Sequence, residues 1–101
     1  MRLIVMFDLP TETAQQRREY RLFRKALIQN GFIMLQESVY CRLLLTLSSR
    51  LTAMGAVRKA KPREGMVLAL SVTEKQFAAM EFVVGEYRSD VLDSDERLVI
   101  L

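Results

Sequence analysis

The 101-residue sequence predicts an α+β fold with helices packed on a single sheet, and three observations carry that expectation. Short apolar runs rich in β-branched and aromatic residues recur along the chain, the length of strands rather than of membrane spans. A longer segment between the first two runs carries a helical period instead. Turn and stop signals (Pro10, Asn30-Gly31 and KAKPREG) separate these segments.

Arg2 to Phe7 does not alternate cleanly between apolar and polar residues, as expected of a central strand. Pro10 forbids simple continuation, and LPTET forms a turn. Thr11 or Thr13 caps the helix that follows, which covers residues 12–30 and stops at Asn30-Gly31. FIMLQESVYCRLLLTL is too long for one ordinary strand. It reads as a strand over 32–36, a bend near Glu37 and a strand over 38–44, with one continuous bent strand as the alternative. A second helix is expected over 46–60, with Leu47, Leu51, Met54 and Val57 or Arg58 on its inner stripe and Gly55 in its interior. Met66 to Val72 is the next buried strand. Thr73 and TEKQF open a third short helix that carries Phe77, Met80 and Glu81 to Val84. An acidic, turn-rich stretch then leads to a last strand, Arg97 to Leu101.

The core of this order is the split βαβ arrangement of a ferredoxin-like βαββαβ domain, spanning 1–101 with an extra short helix. The C-terminal strand has no place inside such a domain. It is expected to add to a sheet edge, that of another subunit being one choice. Half of the residues are apolar, rich for a chain this small, so oligomerisation is expected.

Composition removes several function classes. There is no His and only one Cys, so one chain cannot hold a zinc site or a Ser-His-Asp or Cys-His nucleophile system. Any metal must be held by oxygen, which favours magnesium, calcium or manganese. No apolar run approaches the roughly 18 to 20 residues that span a bilayer, so a soluble, cytoplasmic protein with no membrane partner is expected.

Charge is unevenly spread. Residues 1–63 hold twelve Lys or Arg against four Asp or Glu, while residues 64–101 hold three against eight. A basic half suggests an anionic partner more strongly than the net charge of +3 does. The cations concentrate in QQRREYRLFRKAL. At ~100° per residue, Arg17, Arg18, Arg21, Arg24 and Lys25 fall within an arc of about 120°. Tyr20, Leu22, Phe23, Ala26 and Leu27 occupy the opposite arc. Amphipathic helices commonly have a solvated polar face, but such faces usually mix both signs. This one has almost no acids, because Glu12 precedes it and Glu19 falls among the apolar residues. Like charges at i,i+4 oppose one another, and four Arg to one Lys suits bidentate phosphate contact. No base-reading module is present, so contact with a duplex backbone regardless of sequence fits best.

Asp8 stands at the tip of the first strand. A lone acid there is an ordinary turn or cap residue. Metal-assisted phosphodiester hydrolysis wants more than one acidic ligand. A two-fold axis near the end of this strand would bring two Asp8 residues together on one divalent ion. Glu37 and the tail acids Asp90, Asp93, Asp95 and Glu96 are the other candidate ligands, the tail group reading more simply as a solvated turn.

RLIVMFDLP, RREYRLFRKALIQNGFIMLQESVY, VTEKQFAAMEFVVGEY and DVLDSDERLVIL together closely resemble the small CRISPR-associated endoribonuclease family. This is the non-integrase subunit of the spacer-acquisition complex, in its type II version. The resemblance runs almost from end to end and is weakest over 43–63. It implies a ferredoxin-like homodimer whose C-terminal strand packs against the partner subunit. It further implies CRISPR integrase dimers as partners and a double-stranded DNA prespacer held along its backbone. By the same resemblance Asp8 matches a magnesium ligand shared across the dimer, and Arg17, Arg18, Arg21 and Arg24 match the basic helix. Members are labelled metal-dependent nucleases of single-stranded RNA or double-stranded DNA, while their role in spacer acquisition is structural. Two functions follow. One is a DNA-bridging adaptor. The alternative is a magnesium- or manganese-dependent phosphodiesterase with paired Asp8 as its catalytic and metal-binding residues.

Overall fold

In a computed structural model, which describes residues 1–86, the elements alternate as the sequence predicts. They are β1 (Arg2–Asp8), α1 (Ala14–Gln29), β2 (Ile33–Gln36), β3 (Val39–Leu43), α2 (Leu47–Ala60), β4 (Met66–Val72) and α3 (Glu74–Ala78). The sheet order is β2-β3-β1-β4, with every neighbouring pair antiparallel. This is the ferredoxin-like βαββαβ fold with an added helix and an open sheet. The expected strand Arg97 to Leu101 and the tail acids Asp90, Asp93, Asp95 and Glu96 lie outside the described residues. Among the described residues no helix is long and apolar enough to cross a membrane.

All three helices start on the same device. Thr13, Thr46 and Thr73 each accept a hydrogen bond from the backbone N–H three residues on, and Gln16, Ser49 and Gln76 reach back to the cap. These reciprocal pairs satisfy donors that a helix start leaves open. Thr13, not Thr11, therefore caps α1, and the helix begins two residues later than the expected 12. At its other end the Asn30 amide donates to Ala26 O at 2.8 Å, and Gly31 takes φ +86°, so the chain reverses toward β2.

The 32–44 stretch is a hairpin rather than one bent strand. Its break falls at Glu37–Ser38, where Ser38 adopts φ +64°. Two further expectations fail. On α2 the inward residues are Ala53 (0% exposed) and Val57 (5%), with Met54 half-buried. Leu47 and Leu51, expected on the inner stripe, are 67% and 64% exposed. The small Ala53 side chain lets α2 sit close to α1, which turns the flanking leucines outward. The third helix stops at Ala78, capped by Ala79, and does not continue through Met80 to Val84. Its short length leaves Phe77 as the one side chain it buries.

The two sheet faces differ. Leu3, Val5, Phe7 and Tyr40 point to the helix side and pack with Phe23, Leu27, Phe32, Leu44, Ala53 and Val57. Phe7 is the centre of an aromatic group, with ring centroids 5.1 Å from Phe23, 5.8 Å from Tyr40 and 5.9 Å from Tyr20. By register, the other face carries Ile4, Met6 and Asp8 on β1, Val39, Cys41 and Leu43 on β3, and Met66, Leu68, Leu70 and Val72 on β4. Phe77 covers Ile4 and Cys41. The Arg2 guanidinium lies 4.4 Å from the Phe77 ring centre and donates to Glu74 at 3.1 Å. Leu68 and Leu70 remain 53% exposed and Met66 60%.

Candidate nucleic-acid interface

Burial of Phe23 and Leu27 rolls α1 so that Arg17, Arg18, Arg21, Arg24 and Lys25 all face solvent. The helix contributes both a wall of the core and a cationic stripe outside it. Leu22, placed with the apolar arc, is half exposed, and Ile28 likewise, so the buried stripe is narrower than the wheel predicts.

The five cations do not have the same surroundings. Arg17 Nη1 donates to the carbonyls of Thr11 (3.2 Å) and Glu12 (2.9 Å), tying the turn after Asp8 to the helix. Arg24 Nε donates to the hydroxyl of buried Tyr40 at 2.7 Å. Among the described residues no ion pair involves Arg18, Arg21 or Lys25. Arg18 acts on the Glu19 carboxylate only through space, so this exposed face keeps a positive field that an anionic polymer can neutralise.

Glu19 is half-buried at the edge of the apolar arc. Its carboxylate accepts from the Arg63 backbone N–H at 2.9 Å and from the Gln15 amide at 3.0 Å. The Arg63 guanidinium stands 3.7 Å away. The Arg63 N–H and then the Gln15 amide hold Glu19 below the ordinary carboxylate range. Gln16 also donates to Glu64 at 3.2 Å. The basic turn before β4 is thus pinned to α1 and adds Arg63 to its flank.

The same turn sets the backbone at Asp8. Gly65 has φ +99°, and a Cβ there would lie 2.7 Å from the Asp8 carbonyl oxygen. Only glycine fits that conformation and that approach. Asp8 ends β1 opposite Met66, exposed, on the sheet face away from the arginine helix. Phe7 N donates to Ser38 O at 3.0 Å, which draws the Glu37–Ser38 turn toward this end of the strand. Among the described residues no three His, Cys, Asp or Glu side chains form a group able to hold a metal. Asp8 thus stands outside any such group, and water and substrate oxygens would have to complete the shell of a divalent ion held there. Cys41 is 1% exposed, and that burial pushes its thiol up.

Tyr40 and Gly65 were absent from the sequence-based site. Tyr40 reads as one more apolar strand residue, and only the pairing of β3 beside α1 shows that its hydroxyl meets Arg24. Glu19 had left a signal, an acid on an apolar face that required a partner.

The family described as CRISPR associated protein Cas2 matches residues 1–80. The chain is 52% identical to the CRISPR-associated endoribonuclease Cas2 of Treponema denticola over the full length of both. It is 48% identical to that of Streptococcus mutans serotype c, over all of this chain and 93% of the relative. It is 45% identical to that of Lacticaseibacillus rhamnosus over the full length of both. A crystal structure of Streptococcus pyogenes Cas2 at pH 6.5 superposes with a TM-score of 0.65 at 19% identity, covering 84% of this chain and 100% of that one.

Proposed function

From the premise that the chain belongs to the CRISPR-associated Cas2 family, we propose that it is a double-stranded DNA-binding homodimeric adaptor in spacer acquisition. It holds a prespacer duplex along its backbone and bridges the integrase dimers that join it. The observation that carries this reading is the α1 stripe, in which Arg18, Arg21 and Lys25 form no ion pair among the described residues. Phosphate oxygens supply what the stripe lacks, and the absence of a base-reading element fits binding that follows the backbone.

The homodimer rests on the open sheet face. Met66, Leu68 and Leu70 form an apolar strip on strand β4 that a second copy would cover. Asp8 lies on that face, at the end of β1, so a two-fold axis close to it would bring two Asp8 carboxylates together. The DNA-binding stripe then stays outside, one on each protomer.

The test is duplex binding measured across salt concentrations. Charge reversal at Arg18 and Arg21 should weaken binding and flatten its salt dependence, by about 0.9 in the logarithmic slope for each phosphate that is no longer neutralised. Unchanged affinity at every salt concentration overturns the adaptor reading.

The alternative reading starts from Asp8 at the end of β1 on the open face. A magnesium or manganese ion shared by two Asp8 residues would make the dimer a phosphodiesterase, as the relatives' name, endoribonuclease, says of them. An integration assay with the integrase subunit, run with the wild type and Asp8→Asn, separates the two. The adaptor reading expects integration to persist in Asp8→Asn. Metal-dependent cleavage by the wild type that Asp8→Asn abolishes supports the second.

A further inference from the structure

We propose that Tyr40 is a positioning residue for the DNA interface, presenting the Arg24 guanidinium to a phosphate in a fixed orientation. This rests on the duplex-binding reading above. Tyr40 is 1% exposed, its ring is stacked on Phe7 with centroids 5.8 Å apart, and its backbone is paired into β3 beside β1. Few side chains have less room to move. Its hydroxyl is the one polar atom it carries, and that oxygen accepts from Arg24 Nε at 2.7 Å.

Which nitrogen makes the bond decides the consequence. A guanidinium is planar and carries its donors in a rigid fork. A bond at Nε sets the plane and leaves both terminal nitrogens for a ligand outside. Arg17 shows the opposite case, because its Nη1 is occupied by the Thr11 and Glu12 carbonyls and holds a turn. Arg18, Arg21 and Lys25 have no such support among the described residues. Within the stripe, Arg24 combines an exposed fork with a support rooted in the core. A phosphate bound there meets an arginine whose ordering cost has been met in the free protein.

The experiment is a double-mutant cycle on duplex affinity, with a mixed-sequence DNA duplex and the full chain. Tyr40→Phe keeps the ring and removes the acceptor, and a thermal melt checks that the fold is retained. It should weaken binding roughly threefold to tenfold, the scale of re-ordering one long side chain. In an Arg24→Ala background the same change should do nothing. Arg24→Lys keeps the charge but loses the Nε donor and leaves the core untouched. It also loses the fork, so it should weaken binding at least as much as Tyr40→Phe does, with no further loss when the two are combined. Equal weakening by Tyr40→Phe with and without Arg24 means a general structural role and overturns the inference. So does unchanged binding in Tyr40→Phe while the Arg18 and Arg21 reversals still weaken it, and the duplex-binding reading then stands. A wild-type chain that binds no duplex overturns both.

Discussion

The two faces of the sheet teach opposite lessons about what one chain can finish. On the helix side, α1 and α2 close over Leu3, Val5, Phe7 and Tyr40, and the core is complete. On the other side, among the described residues, α3 covers the middle, and the β4 strip of Met66, Leu68 and Leu70 stays exposed. Each face has a charged feature suited to it. Cations sit outside the closed face, where burial of Phe23 and Leu27 forces them into solvent. The lone Asp8 sits at the rim of the open face, where a second surface would meet it. The closed face holds the core, and the open face leaves large apolar side chains exposed among the described residues.

The sharpest way to break this contrast is to charge the open face. Leu68→Asp with Leu70→Asp should convert the proposed dimer to monomer. Each leucine forfeits the ~1.5–3 kcal/mol that burying such a side chain contributes, twice over about a two-fold axis. Sedimentation should show the change in mass, while the far-UV spectrum of the monomer stays that of the wild type. A dimer that survives both charges places the interface elsewhere.

The matching change on the closed face is Phe23→Ala. It removes a ring that is 1% exposed and in edge contact with Phe7, and should cost about 3–5 kcal/mol of folding stability in denaturant titration. A small loss would mean that the helix side collapses around the gap.

Gly65→Ala tests the junction between the faces. The positive φ and the close approach to Asp8 O predict a loss of about 1–3 kcal/mol, read from the thermal midpoint. A harmless substitution would show that the turn can shift away from β1.

The smallest effect concerns Glu19. Its folded pKa lies below the ordinary 4.5, so the carboxylate's stabilising contribution is complete above the unfolded value. It is lost as pH falls through the lowered folded value. The thermal midpoint of Glu19→Gln should therefore fall less steeply than the wild type's below pH 4.5. Parallel curves would rule out Glu19 as a contributor to acid sensitivity.

Much of this was legible in the chain. The strand at residues 2–7, the helix stop at Asn30-Gly31 and the strand Met66 to Val72 follow from local pattern and turn chemistry. The basic arc of α1 follows from a ~100° repeat. The inner stripe of α2 was not legible. Its pattern offered Leu47 and Leu51 ahead of Ala53, and the approach of α1 made the small residue the buried one. The end of α3 was not legible either, because Met80 to Val84 are apolar enough to continue a helix.

By itself, the sequence determined the element order and the type of each element over residues 1–86, and a helix with one cationic and one apolar side, because these depend on neighbours within a few residues. It also determined what chemistry is impossible within one chain, through the missing histidines. Only the tertiary structure decided that Asp8 and the arginine stripe lie on opposite faces, since strand pairing and helix placement join residues far apart in the chain. Register placed Asp8 opposite Met66, the α2–β4 turn brought Arg63 to Glu19, and β3 set the hydroxyl of a buried tyrosine under Arg24. Glu19 signalled in the sequence that it required a partner, but the identity of each partner has no local signature, because it is decided by the packing of elements and not by the propensity of any one of them.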